Sequence, residues 1–232
     1  MEHNDTGGFE ENAYVSFCRK SELQNRVDAH YMKRQPEIND RMRSIVVDWL
    51  LEINHEYDLS PETVFRAVQI MDRFLERRPC RTEELQLVGA VAMMLASKFE
   101  DATPIDSGEL TYLGDGAYVH CQVLTAEIVL LCTLGFGLWA PTPLTFYCEF
   151  EQNLDSSRSE RHLALYFLET ALNNIRFLDF LPSQLAAAAM CVYRPIIGCL
   201  VHRCNQVSCA EADAFIGFLD RRSCSGHAIH RP

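Results

Sequence analysis

Read for hydrophobic and polar periodicity, the chain is helical almost throughout. Apolar residues return at three- and four-residue intervals, and the alternation expected of strands is nearly absent. The stretch MRSIVVDWLLEI, Met42 to Ile53, sets the first problem. At about 100° per residue, Met42, Ile45, Trp49 and Ile53 share one stripe, Val46 and Leu50 widen it, and Val47 and Leu51 lie further round. Only Ser44, Asp48 and Glu52 form a clean polar sector. A surface helix needs one apolar face for its core. This one must also meet another helix or a partner.

Caps and breakers place the other elements. The spacing predicts the first helix of the main body from an Asn39 or Asp40 N-cap to about Tyr57. Ser60-Pro61-Glu62 opens the next with a capping hydroxyl, a proline at the first helical position and an acid in the first turn. Its stripe is Val64, Val68, Met71 and Leu75, with Phe65 and Phe74 beside it. Thr82-Glu83-Glu84 opens a third, LQLVGAVAMMLASKF, which is apolar nearly all round and reads as a central helix packed on several sides. A short helix follows around Ser107 to Leu113. A fifth runs from about Gln122 to Leu134 with Leu124, Ile128, Leu131 and Leu134 expected inward. The glycines and prolines of LGFGLWAPTP make a linker. Beyond it the order recurs: PLTFYCEF, the amphipathic RHLALYFLETALNNIRFL, then the Ala-rich LPSQLAAAAMCVY opened by Pro182-Ser183. Both halves place a small-residue central helix after an amphipathic one, which implies two related helical lobes.

Composition narrows the function. With 232 residues, 48% hydrophobic and 23% charged, the chain reads as a globular protein of one or two domains. A net charge of −11 argues against a phosphate-neutralising nucleic-acid surface. No apolar run reaches the length of a membrane span. The polar, acidic start MEHNDTGGFEEN is read as a disordered segment and not a signal peptide. Ten scattered cysteines with no CxxC and no secretory signal read as reduced thiols in an intracellular protein. Two CxxH pairs, Cys199 with His202 and Cys224 with His227, have the ligand types of a zinc site. Such spacings arise by coincidence in a Cys-rich chain, so ordinary thiols and solvated histidines are the reading kept. No metal or cofactor is expected.

The common motifs of catalytic and nucleotide-binding chemistry do not occur. There is no GxxxxGK[ST], no GxGxxG, no second histidine at zinc-protease spacing after His55-Glu56, and no Gly-x-Ser-x-Gly. The acids read as helix caps and solvated faces. The expectation is a binding module and not an enzyme, with no catalytic residues.

Two constellations could bind. Met42, Ile45 and Trp49 with Glu52 make an apolar strip with an acidic rim, and Leu85 and Gln86 could form its other wall. Such a groove suits a short peptide with a cation beside large apolar anchors. Spacing alone favours ordinary core for the same stripe. The second is Lys98-Phe99-Glu100-Asp101 at the end of the central helix, with Glu127 the candidate partner of Lys98. The bland alternative is a cation favoured by the helix C-terminus.

Resemblance separates these alternatives. The runs YMKRQPEINDRMRSIVVDWLLEI, YDLSPETVFRAVQIMDRFLERR and LQLVGAVAMMLASKFED resemble the cyclin box of mitotic-type cyclins, the A and B group. They combine MR-x-I-x-x-DWL, DRFL, LQLVG and LASKFE in order over roughly Tyr31 to Pro143, with a weaker match through LPSQLAAAA. The resemblance implies an all-α cyclin fold: two stacked five-helix lobes preceded by an N-terminal helix. The segments are then 1–38 with the docking helix, 39–138 the N-terminal cyclin box, and 139–232 the C-terminal lobe. It further implies a regulatory subunit that binds and activates a cyclin-dependent protein kinase in cell-cycle control and helps recruit substrates carrying Arg-x-Leu motifs. The alternative is a cyclin-fold adaptor in transcription without kinase activation.

On that resemblance the kinase-binding positions are Lys98, Phe99, Glu100, Glu127 and Leu131, with Tyr14 and Phe17 in the N-terminal helix AYVSFCRK. The groove for Arg-x-Leu peptides of substrates or inhibitors maps to Met42, Ile45, Trp49, Glu52, Leu85 and Gln86. Nucleic acid and membrane are not expected partners, and the location is intracellular, nucleus or cytoplasm. Departures are visible. Val46 stands where the family commonly has leucine. No Arg-x-x-Leu occurs, so the destruction motif of mitotic cyclins is missing, which fits a trimmed fragment or another route of degradation. Lys20, Lys33 and Lys98 are the only lysines. Pro195 should break or kink the helix it falls in, and the tail RRSCSGHAIHRP stands where the family has another helix, so an incomplete or divergent second lobe is expected.

Overall fold

The computed structural model describes residues 13–152 and 158–192. Among the described residues there is no strand, and the chain forms α1 (Ala13–Gln24), α2 (Asp40–Glu56), α3 (Pro61–Arg77), α4 (Leu85–Glu100), α5 (Ser107–Leu113), α6 (His120–Leu134), α7 (Pro143–Glu151), α8 (Arg158–Asn173) and α9 (Pro182–Val192). Helices α2 to α6 make the first lobe, and α7 to α9 are the described part of the second. Pro195, both CxxH pairs and the C-terminal tail lie outside the described residues.

The starts follow local chemistry. The Asn39 side chain accepts from the Met42 amide at 3.1 Å, capping α2. The Ser60 hydroxyl caps α3 ahead of Pro61. Asp106 accepts from the Gly108 and Glu109 amides while Glu109 reaches back to the Asp106 amide, a capping box that makes a seven-residue helix of α5.

α4 is the axis of the first lobe. Every residue from Val88 to Ser97 is buried, and α2, α3, α5 and α6 pack around it. Its small residues are required by distance. A Cβ placed on Gly89 would stand 2.6 Å from Val46 Cγ1, so α2 and α4 cross where only glycine fits. The Ala-rich α9 has the same role in the second lobe, burying Ala186, Ala188 and Ala189 against α7 and α8.

α2 has three working sides. Val46, Val47, Leu50 and Ile53 enter the core of its own lobe. A second side faces α8. The Ser44 hydroxyl donates to the Asn173 carbonyl at 2.8 Å, and Asp48 accepts from the Asn173 amide group. The polar sector is therefore in part a seam between lobes: Ser44 is half-buried there, while Asp48 and Glu52 are exposed. The third side carries Met42, Ile45 and Trp49 outward.

Behind the seam lies a buried charge. Arg43 Nε and Nη2 donate to the two Asp72 carboxylate oxygens at 2.7 and 2.6 Å, and the Tyr31 hydroxyl donates to Asp72 at 2.8 Å. Both ionic side chains are 1% exposed. Arg43 Nη1 also donates to the Leu172 carbonyl at 2.9 Å, which ties α2 to the end of α8. The fork of a guanidinium allows this double service, which a lysine could not supply.

One face assignment is corrected. In α6 the buried residues are Val123, Leu130 and Leu134, whereas Leu124 and Ile128 are exposed by 42% and 62%. α6 is apolar on two sides, and periodicity alone could not tell which of them faces α4.

Candidate functional site

Each residue of Lys98-Phe99-Glu100-Asp101 is held by a named partner. Lys98 Nζ and Glu127 Oε1 are 2.7 Å apart, so the pair read from the sequence forms between α4 and α6. Lys98 is exposed and Glu127 half-buried. Phe99 is 50% exposed, and its ring has the Arg66 guanidinium 5.0 Å from its centroid. Glu100 pairs with Arg66 Nε. The Asp101 carboxylate accepts from the Ser60 amide at 2.8 Å and the Thr63 hydroxyl at 2.6 Å, which pins the end of α4 to the start of α3.

The ion pair leaves chemistry unused. An ammonium has three protons and a carboxylate about four acceptor positions. One Lys98–Glu127 bond therefore orients both groups and leaves donors and an acceptor for a partner's backbone. Apolar surface surrounds them. Leu124, Ile128 and Leu131 share a face of α6 with Glu127 by helical spacing. Phe136, 69% exposed, is folded back by the bond from its amide to the Leu131 carbonyl. Gly135 and Phe136 both have positive φ there, which brings the chain round in a tight reversal. Leu124, Ile128 and Phe136 were missed as surface residues by sequence reasoning. The signal for Phe136 was a large aromatic between two glycines just past a helix end.

The N-terminal helix presents two further aromatic side chains. Phe17 is 55% exposed and stacks on Trp139 of the linker, with ring centroids 5.4 Å apart and an interplanar angle of 19°. Tyr14 is also exposed. Burial of its hydroxyl end and the neighbouring Cys18 push its pKa up to about 12, so it remains a neutral phenol at any ordinary pH. Glu22, buried in α1, accepts from the Ser183 amide at 3.0 Å and the Ser183 hydroxyl at 2.8 Å. That contact caps α9, so α1 is anchored to the second lobe.

The strip on α2 is divided. Ile45 is 59% exposed and Glu52 is exposed, while Met42 and Trp49 are half-buried against the core. Leu85 corrects the expected wall: it is 3% exposed and belongs to the core, because the first turn of α4 faces inward there. Gln86 is half-buried. Ile53, grouped in the same stripe, is fully core.

Among the described residues no group of three or more His, Cys, Asp and Glu side chains could hold a metal ion. No described helix is long and apolar enough to cross a membrane. The six described cysteines are free thiols.

Comparison with known proteins agrees along the chain. Residues 13–139 match the family model "Cyclin, N-terminal domain", and residues 141–212 match "Cyclin, C-terminal domain". Cyclin-A1 of Xenopus laevis is 42% identical over 177 residues, which is 76% of this chain and 42% of that protein. Cyclin-B2-1 of Oryza sativa subsp. japonica is 38% identical over 190 residues, 82% of this chain and 44% of that protein. The chain thus spans less than half the length of these curated relatives. Among solved structures, a viral cyclin from herpesvirus saimiri superimposes with a TM-score of 0.69 at 18% identity, covering 80% of this chain and 82% of that one.

Proposed function

We propose that this chain, which belongs to the cyclin family, is a regulatory subunit that binds and activates a cyclin-dependent protein kinase in cell-cycle control. The observation that carries the reading is the Lys98–Glu127 pair at 2.7 Å, set in an exposed apolar surface of Phe99, Leu124, Ile128 and Phe136. A mobile helix of the kinase would lay its apolar side on that surface. Its backbone polar groups would meet the free donors of Lys98 and the free acceptor of Glu127. Glu100, Leu131, Tyr14 and Phe17 extend the same contact. The regulatory subunit supplies binding energy to one arrangement of the kinase, and the catalytic groups are the kinase's own.

The strip of Met42, Ile45 and Trp49, rimmed by Glu52 and Gln86, is the proposed docking place for Arg-x-Leu segments. A cation meets Glu52 and an aliphatic side chain covers Ile45 and Trp49. A duplex nucleic acid fits poorly to a chain of net charge −11. The setting is intracellular.

The test is stimulation of a monomeric cyclin-dependent kinase on a histone-type substrate. Lys98→Ala with Glu127→Ala removes charge-assisted bonds from a surface that becomes buried, at a cost of about 2–5 kcal/mol in affinity. The variant should keep its helical circular dichroism and lose stimulation. A wild-type chain that is folded and stimulates none of several such kinases would leave the adaptor reading in its place.

A further inference from the structure

Arg66 touches two positions of the proposed kinase surface from behind. It is 2% exposed. Its guanidinium is used on every side. Nε pairs with Glu100, Nη2 lies 3.3 Å from Glu62 Oε1, Nη1 donates to the Ala140 carbonyl at 3.0 Å, and its carbon sits 5.0 Å from the centroid of Phe99. Glu62 is in turn held from the second lobe. Its Oε1 accepts from the Thr142 hydroxyl at 2.6 Å and the Thr145 hydroxyl at 3.0 Å. Thr142 is the N-cap of α7 and fully buried. A continuous polar chain therefore runs from the first turn of α7, through Glu62 and Arg66, to Phe99 and Glu100.

We propose that Arg66 is a positioning residue that fixes Phe99 and Glu100 for the kinase and makes their placement depend on the second lobe. The proposal rests on reading that surface as the kinase site. A guanidinium against an aromatic ring holds the ring by a cation–π contact, which leaves the half-exposed side of Phe99 for the partner. The same group claims one oxygen of Glu100, so its carboxylate is presented in one orientation. A planar fork satisfies these directions at once, and an ammonium cannot. With an apolar side chain at position 66, Phe99 loses its backing and Glu100 swings free as an unpaired anion beside it.

A double-mutant cycle on the full chain tests this, with kinase affinity read by calorimetry and folding by thermal melt. Arg66→Met should weaken binding roughly tenfold alone and less than about twofold in a background carrying both Phe99→Ala and Glu100→Ala, since residues acting through one another are not additive. Arg66→Lys should not rescue. Equal losses in both backgrounds, or full rescue by lysine, would mean that Arg66 is merely structural and would overturn the proposal. If Arg66→Met melts below the assay temperature, Glu62→Gln takes its place in the same cycle, and additivity with the Phe99→Ala and Glu100→Ala pair overturns the proposal equally. Lys98→Ala with Glu127→Ala is the reference. If that pair loses binding while Arg66→Met keeps it, the relay is wrong and the surface right. If that pair keeps full binding, the surface assignment falls and the relay with it.

Discussion

Asp72→Ala is the substitution whose size the structure constrains most closely. The carboxylate is 1% exposed and accepts three bonds: two from Arg43, at 2.7 and 2.6 Å, and one from the Tyr31 hydroxyl at 2.8 Å. Truncation leaves the guanidinium in place, still bonded to the Leu172 carbonyl but without a counter-charge. A stranded buried charge costs about 3–5 kcal/mol. The Tyr31 hydroxyl, in a fully buried side chain, loses its acceptor at about 1–3 kcal/mol more. The sum, about 4–8 kcal/mol, is comparable with the whole stability of a typical domain, about 5–15 kcal/mol.

The pair itself contributes less than its loss costs, because both ions were desolvated to make it. Arg43→Met with Asp72→Leu and Tyr31→Phe should therefore recover most of the stability lost in Asp72→Ala. Urea unfolding followed by the fluorescence of Trp49 and Trp139 gives both numbers from the shift in midpoint at constant slope. A loss below about 1 kcal/mol for Asp72→Ala, or a triple variant no more stable than the single one, would refute the reasoning.

Gly89→Ala gains up to about 1 kcal/mol of helix propensity but drives a methyl into Val46, so a net loss of about 1–2 kcal/mol is expected; an unchanged or raised melting temperature would count against the close crossing. Met42→Ala with Trp49→Ala should abolish binding of an Arg-x-Leu peptide and spare kinase binding, and a chain that unfolds instead would return the strip to the core. Burial holds the Glu22 carboxyl above its ordinary value of 4.5 in spite of its bonds from Ser183. The folded chain then binds that proton more tightly than the unfolded chain, so its contribution is fully present below about 4.5 and is lost as pH rises through the raised value. Glu22→Gln should flatten that part of the stability profile, and an unchanged slope would remove Glu22 as its source.

Helix starts were legible because their causes are local. Asn39 and Ser60 with Pro61 lie within three residues of the amides they serve, and the observed starts of α2 and α3 are the expected ones, while α5 starts at Ser107 as read although its Asp106 cap carried no reading. The Lys98–Glu127 pair was legible because Glu127 is a lone acid among apolar residues. The face of α6 was not, since Val123, Leu130 and Leu134 and the set Leu124, Ile128 and Leu131 both fall at helical intervals. Leu85 was misplaced for a related reason: an apolar residue at the first turn of a helix can line a groove or close a core. Arg66 carried no local signal at all. Its partners are 4, 34 and 74 residues away in sequence, and an arginine between Phe65 and Ala67 reads as an ordinary solvated charge until three segments converge on it.

The ties between the lobes share a character that bears on how the proposed surface is held. α2 meets α8 through Arg43, Ser44 and Asp48, α1 meets α9 through Glu22, and α3 meets α7 through Glu62. Apolar burial alone would hold two lobes together but is non-directional, so packed helices could slide by small steps. Each of these polar contacts fixes a donor to an acceptor, and a shift that breaks one at Arg43, Ser183 or Thr142, all buried, leaves a buried group unsatisfied at about 1–3 kcal/mol. Two of them end on segments that also present the surface. Glu22 anchors the helix bearing Tyr14 and Phe17, and Glu62 anchors Arg66 behind Phe99. The second lobe contributes to a surface built from α1, α4 and α6 by holding it in register. Damage at Ser183 or Thr142, both buried, should accordingly reach kinase affinity before it reaches the helical content of the first lobe.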